Sequence, residues 1–387
     1  MCSQEYDYNF KLAFQTEWYD PVAQNKRTFL MSFYPGDSTV ELYDINQRKM
    51  FLRRSLYDGL RLKDLFVGNT VTIYDRLVKI TEYNDNTTRN FIGKWKQHTF
   101  ALIKPSGMPH LGEIFSEIYA ANYTIERLRM CTPSRTEILN LYENLTGNPQ
   151  LPFIVEHMCS APIVALELVG EDAINGWRKM MGPADSQEAK KTAPGSLRAR
   201  FGYDLASNAV HGAEDHEQAT KSACYFFPQG IDRKPPPNTA RINNSTCCII
   251  KPHAIDEGKL GTIVNVILKN FAITAMQMFY MTPTNVEEFL EVYRGVISNY
   301  HSFLHSFMSG PCFAIEISAK EGDPKRDVHG EFRKLCGPMD CDVAKNIRPN
   351  SLRGMFGKER YLNAVHCTDL AEDCEQELEY FFKILDE

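Results

Sequence analysis

Five short blocks occur twice in this chain, in the same order, and that repetition constrains the fold more than any local pattern does. A-L-I-K-P ending at Pro105 returns as I-I-K-P ending at Pro252. P-I-V-A-L-E-L after Ala161 returns as P-C-F-A-I-E-I after Gly310, and W-R-K-M-M-G-P around Arg178 returns as F-R-K-L-C-G-P around Arg333. S-L-R-A-R-F-G around Arg198 matches S-L-R-G-M-F-G around Arg353, and N-A-V-H at Asn208 to His211 recurs unchanged at Asn363 to His366. The spacing is conserved between the copies: 20 residues separate Arg178 from Arg198 and Arg333 from Arg353, and 13 separate Arg198 from His211 and Arg353 from His366. The interval from Lys104 to Arg198 is 94 residues, whereas that from Lys251 to Arg353 is 102. The extra residues fall before Arg333, and Ala319 to Gly330, rich in charge with Gly and Pro, is expected to be the inserted surface loop.

Each copy reads as a short apolar strand (Phe100 to Ile103; Cys248 to Ile250), an amphipathic helix (Gly112 to Ala121; Leu260 to Lys269) and a second strand (Ile125 to Met130; Ile273 to Phe279). Helical sequence, a strand, a helix through Arg178 or Arg333, and a last helix near Glu217 or Glu375 follow. This order predicts two ferredoxin-like α/β sandwich domains in tandem, an α+β class. Three consecutive prolines, Pro235 to Pro237, mark residues 228–245 as a semi-rigid linker. Residues 1–93 differ: T-F-L-M-S-F-Y and T-V-E-L-Y-D flank the turn P-G-D-S, and V-T-I-Y and L-V-K-I-T-E-Y follow, so this module is β-rich. The expected domains are therefore 1–93, 98–227 and 246–387.

A net charge of −6 argues against a partner held by bulk positive charge, whether nucleic acid or an anionic membrane. No run of 18 uncharged apolar residues occurs, and the first residues lack the basic-then-apolar pattern of a leader. The 11 cysteines are odd in number and contain no C-x-x-C pair, which favours reduced thiols in the cytosol, with Cys247 and Cys248 in a buried strand.

The I-K-P blocks, the spaced arginines and N-A-V-H followed by an acidic helix resemble the motifs of the nucleoside diphosphate kinases, whose histidine sits in an N-x-x-H-G-S-D pattern. The resemblance covers about 280 residues, from Thr99 onward. It implies transfer of a γ-phosphoryl group through a phosphohistidine, with nucleoside di- and triphosphates as partners and Mg²⁺ carried on ATP rather than bound directly by the protein. In the second copy it implies His366 as the phosphorylated residue, with Glu377 orienting its ring and Thr368 beside it. Lys251, Tyr293, Arg333, Arg353 and Asn363 match the nucleotide-binding positions. In the first copy Lys104, Tyr142, Arg178, Arg198, Asn208 and His211 match, but Ala213 and Ser222 replace the hydroxyl and the carboxylate, so that site is expected to be weak or inert. The family's phosphate-contacting threonine falls on Ala184 and Met339, and its base-stacking phenylalanine on Gln150 and His301. His98, His157, His216 and His329 lie outside the motifs and are read as structural or solvated.

E-W-Y-D-P and Y-P-G-D near the start resemble the front module of axonemal members of that family and of other ciliary doublet-microtubule proteins. That resemblance implies a pleckstrin-homology-like module, tubulin, doublet or centrosomal partners, and a place on the cytoskeleton of a cilium, flagellum, centrosome or basal body. It leaves a structural alternative open, a microtubule inner protein with weak or lost kinase activity. The two fused copies are expected to pack as an intramolecular pseudo-dimer.

Overall fold

Alternation of apolar and polar residues gathers the N-terminal strands into one antiparallel sheet: β1 (Leu12–Asp20), β2 (Asn25–Tyr34), β3 (Thr39–Asp44), β4 (Lys49–Leu56), β5 (Thr70–Ile73) and β6 (Arg76–Tyr83), in the order β4-β3-β2-β1-β6-β5. Phe14, Phe29, Met31, Leu42, Val78 and Ile80 point to one core, closed by Ile92 of the helix Asn86–Trp95. The P-G-D-S turn is held by Asp37, which accepts hydrogen bonds from the backbone and hydroxyl of Thr39. This computed structural model describes residues 8–20, 24–57, 59–60, 62–67, 69–74, 76–95, 97–228, 234–320, 323 and 325–386. The chain divides into two units, 1–97 and 98–387.

In the second unit each copy contributes four strands. Copy one supplies β7 (Gln97–Ile103), β8 (Thr124–Cys131), β9 (Ile163–Gly170) and β10 (Val210–Gly212). Copy two supplies β11 (Ser245–Ile250), β12 (Ala272–Phe279), β13 (Cys312–Ser318) and β14 (Val365–Cys367). Each copy has the ferredoxin-like fold. The eight strands form a single sheet, β10-β7-β9-β8-β12-β13-β11-β14, which reads the same from either end because β8 of one copy pairs with β12 of the other. Cys247 and Cys248 lie fully buried in β11.

Beside this seam the helices Leu111–Ala120 and Leu260–Asn270 pack through a pair of glycines. A Cβ on Gly112 would stand 2.6 Å from the carbonyl of Gly261, and one on Gly261 would stand 2.4 Å from that of Gly112. Backbones this close exclude any side chain, so the two glycines set the helix separation. Arg129 of β8 is buried at the seam. It donates through Nε to Pro236 O (2.8 Å), through Nη1 to Gln277 Oε1 (2.9 Å), and through both terminal nitrogens to the Asp386 carboxylate.

The proline-rich linker, expected as a spacer, is bonded to both copies over its described residues. Thr132 N–H donates to Pro237 O, and Asn238 donates to Phe382 O and Asp386. The buried Glu316 of β13 receives Arg241 N–H, Ile242 N–H and Ser245 Oγ. Buried polar groups with so many partners fix the segment's path. The expected loop Ala319–Gly330 ends at Asp327, whose side chain caps the helix Val328–Cys336, while residues 321, 322 and 324 lie outside the described residues.

Replacing Gly261 with Leu forces the two helix backbones apart. We expect a loss of about 1–3 kcal/mol or more, read as a lower urea midpoint, whereas Ala at the exposed, open Gly195 leaves the midpoint nearly unchanged.

Candidate active site

Both histidines stand on three-residue strands at the two ends of the long sheet, His211 on β10 and His366 on β14. Two positions earlier in each copy an alanine adopts the left-handed conformation, Ala209 at φ 67 and Ala364 at φ 65. A non-glycine residue there costs about 1–3 kcal/mol and persists only where its surroundings hold it. They do: Lys251 N–H donates to Ala364 O (2.9 Å), and Ala364 N–H donates to His253 Nε2 (3.1 Å). In copy one Lys104 N–H donates to Ala209 O (2.8 Å) and Ala209 N–H to Ser106 Oγ (3.2 Å).

In copy two the predicted residues converge. His366 Nε2 lies 3.0 Å from Glu377 Oε2 and 3.2 Å from Oε1, and Thr368 donates its hydroxyl to the same carboxylate at 2.9 Å. Glu377 belongs to the helix Cys374–Glu379. A carboxylate facing Nε2 selects the tautomer protonated there and leaves the Nδ1 lone pair for a substrate. Rings of Phe289 and Phe307 pack around the imidazole at 5.4 and 6.1 Å. Lys251 is buried, donating Nζ to Tyr361 O (2.9 Å) and Ser306 Oγ (3.2 Å) over the Phe307 ring. Burial, and then the charge of Arg353, holds its ammonium well below the usual lysine range. Arg353 donates Nε to Val365 O (3.1 Å) and Nη1 to Gly337 O (2.9 Å). Asn363 donates to Met339 O (3.0 Å), while its buried Oδ1 has no partner among the described residues.

Asp369, which the sequence reading did not assign, ties the cleft together. It accepts from Tyr293 OH (2.6 Å) and pairs with Arg333 Nη2 (3.2 Å). Its place as the last letter of the N-x-x-H-G-S-D pattern was the available signal. The Arg333–Asp369 pair is about two-fifths exposed and so weak, leaving the guanidinium available to another anion. Lys251, Tyr293, Met339, Arg353, Asn363, His366 and Asp369 line a partly open cleft with about 20 Å³ of room, enough for roughly one water. Among the described residues Asp369 is the carboxylate lining the cleft, and it is already engaged by Tyr293 and Arg333. Gln150 and His301 are exposed and outside it.

In copy one the frame is present and the partner is missing. Lys104 is buried and donates to Ala206 O (3.3 Å), Arg198 donates to Gly182 O (2.9 Å) and Val210 O, and Asn208 donates to Ala184 O (2.8 Å). Arg178 donates to Glu214 O (3.3 Å). His211 packs against Tyr142 at 4.8 Å, and its buried Nε2 has no partner among the described residues. Ala213 and Ser222 are buried where copy two has Thr368 and Glu377, and among the described residues no carboxylate hydrogen-bonds the ring. Burial, then Lys104 and Arg198, pushes His211 down to about 3.

Outside the two sites, His98 faces Glu126 and Glu167, with Arg127 on Glu167, and His157 meets Ser106. His329 hydrogen-bonds Thr368 O (3.1 Å).

The family model described as "Nucleoside diphosphate kinase" matches residues 97–231 and 244–386. The chain is 44% identical to "Nucleoside diphosphate kinase homolog 7" of Rattus norvegicus over 97% of its own length and 94% of that protein's. It is 36% identical to the nucleoside diphosphate kinase of Aquifex aeolicus, over 34% of this chain and 94% of the relative. A crystal structure of the Aquifex enzyme aligns over 33% of this chain and 93% of its own, with a TM-score of 0.32.

The buried, neutral His211 makes the protein acid-sensitive. The unfolded chain takes up a proton at this residue below about pH 6.5, whereas the folded chain does so only near pH 3. Stability therefore falls as pH drops through 6.5, by up to about 1.4 kcal/mol per pH unit. Urea titrations between pH 7 and 4.5 are expected to show a shallower fall for His211→Asn than for the wild type.

Proposed function

Because the chain belongs to the nucleoside diphosphate kinase family, we propose that its second copy moves a γ-phosphoryl group between nucleotides through a phosphohistidine at His366. The observation that carries this reading is the shared carboxylate of Glu377, bonded to both the ring and Thr368. Held by Glu377 at Nε2, the imidazole presents Nδ1 to the γ-phosphorus. A bond forms from nitrogen to phosphorus as the bond to the β–γ bridging oxygen breaks, and the nucleoside diphosphate departs. A second diphosphate then takes the phosphoryl group by the reverse step, so the protein needs no base strong enough to ionise a hydroxyl.

Lys251, Arg353 and Arg333 supply positive charge to phosphate oxygens, Arg353 and Arg333 through forked donors. Tyr293 offers a hydroxyl, and the orphaned Asn363 Oδ1 suits a sugar hydroxyl. Mg²⁺ bound to the nucleotide would neutralise phosphate charge, and Lys251, Arg333 and Arg353 would hold the remaining phosphate oxygens. The first copy, whose histidine lacks a carboxylate, is proposed to bind nucleotide weakly and to turn over slowly or not at all.

For residues 1–93 we propose a pleckstrin-homology-like module that anchors the protein to axonemal doublet microtubules, or to a centrosomal assembly, in cilia or flagella. The separate core of that unit supports an independent anchoring role. Loss of the carboxylate in copy one favours a second reading as well, in which the tandem copies serve the doublet mainly as a scaffold. The single sheet through both copies favours a monomer rather than an assembly of separate domains.

His366→Ala is expected to abolish acid-labile phosphorylation by ATP, with His211→Ala leaving most of it. Glu377→Gln, which keeps the shape but not the charge, is expected to slow phosphorylation about 10²–10⁴-fold. Pure, folded wild-type protein that never acquires phosphate on His366 would exclude the kinase reading. Deletion of residues 1–93 is expected to remove the protein from axonemes in tagged ciliated cells while leaving His366 phosphorylation unchanged.

A further inference from the structure

Comparison of the two copies position by position isolates a cysteine pair beside the second histidine. In copy one the residue after the histidine is Gly212, and a Cβ there would lie 2.3 Å from Trp177 Cδ1 and 2.9 Å from Met181 Cε. In copy two the three equivalent positions have changed together: Cys367 replaces the glycine, Phe332 the tryptophan, and Cys336 the methionine. The smaller pair makes room for a thiol and sets a second thiol beside it, where Val328–Cys336 closes over β14 and β11. Cys367 lines the cleft with His366, Lys251 and Arg353, and its sulfur accepts from Arg353 Nη2 at 3.6 Å. The Cys336 thiol and the Arg353 charge, against the effect of burial, hold Cys367 down at about 6, whereas burial and Cys367 push Cys336 far up. The two shifts run in opposite directions, favouring the negative charge on Cys367 and the proton on Cys336, the division of labour of an attacking and a resolving thiol.

We propose that Cys367 is an oxidative modification site, a peroxide-reactive thiolate in the second phosphate cleft with Cys336 as its disulfide partner. The cleft admits a molecule about the size of water, close to that of hydrogen peroxide. The Cys367 sulfur attacks one peroxide oxygen, the O–O bond breaks, and the departing hydroxide takes a proton to leave as water; the cysteine is now a sulfenic acid. The Cys336 sulfur then displaces that hydroxyl, giving the Cys336–Cys367 bond and a second water. Two electrons pass from the thiols to the peroxide. The sulfur facing Arg353 loses its negative charge, and the phosphate-binding guanidinium loses an acceptor that fixes it.

The test uses the full chain, treated with hydrogen peroxide at pH 7, denatured with N-ethylmaleimide, digested and mapped by mass spectrometry. The expected product is a Cys336–Cys367 linked peptide. Cys336→Ser should stop at a sulfenic acid on Cys367 that dimedone traps, and Cys367→Ser should give neither product. ATP with Mg²⁺ should slow the reaction at least about tenfold. Cys336 and Cys367 recovered fully alkylated while the exposed Cys224 is oxidised would overturn the proposal, as would a link from Cys248 to Cys367. Absence of protection in a sample whose His366 is phosphorylated would overturn the placement in the cleft. Because the linked peptide is read without nucleotide, its formation is independent of the phosphotransfer reading, on which only the protection arm rests.

Discussion

The Arg129 guanidinium at the seam of the long sheet holds together parts of the chain that are far apart in sequence. Its donors reach a linker carbonyl, a side chain of β12 and the Asp386 carboxylate, which also accepts from Gln277 and Asn238. A buried charge with four hydrogen bonds, two of them to a carboxylate, is tolerable, but one stripped of its partner leaves the other uncompensated, at about 3–5 kcal/mol. The arrangement therefore demands that both copies, the linker and the last turn of the chain be in place together. The glycine pair at Gly112 and Gly261 adds a steric version of the same demand.

On this symmetrical support the two sites have come apart chemically. Both keep the left-handed alanine, the buried lysine, the arginine bonded to backbone carbonyls and the asparagine with an unused oxygen. These features shape the cleft, and they survive in copy one because the sheet end also depends on them. Among the differences between them, two substitutions, Ala213 for Thr368 and Ser222 for Glu377, decide whether the histidine is oriented by an anion or merely packed against Tyr142.

The repeat made much of this legible before any coordinates. Residues in one register share a fold, and the spacing from Arg353 to His366 and on to Glu377 carried the convergence at β14. β1 and β4 were not anticipated: β4 is half-exposed along most of its length, with Arg53 and Arg54 adjacent, so no alternation announces it. The last letter of the N-x-x-H-G-S-D pattern falls on Asp369, but its pairing with Tyr293 and Arg333 is visible only once three separate elements meet. The linker's path could not be read from prolines, since they fix its local extension and say nothing of Glu316, whose carboxylate captures Arg241 and Ile242.

The position of β8 at the centre of the eight-stranded sheet has a consequence for synthesis. Its partner β12 begins at Ala272, about 140 residues after the end of β8. At roughly 5–20 residues per second, on the order of ten seconds pass between the appearance of β8 and that of its neighbour. During that interval copy one carries an unpaired strand edge beside an uncovered glycine-bearing helix, the kind of surface that joins like chains together. Neighbouring ribosomes on one message would hold several such edges at once, so the nascent protein, more than the finished one, is where this architecture is vulnerable to pairing with the wrong copy of itself.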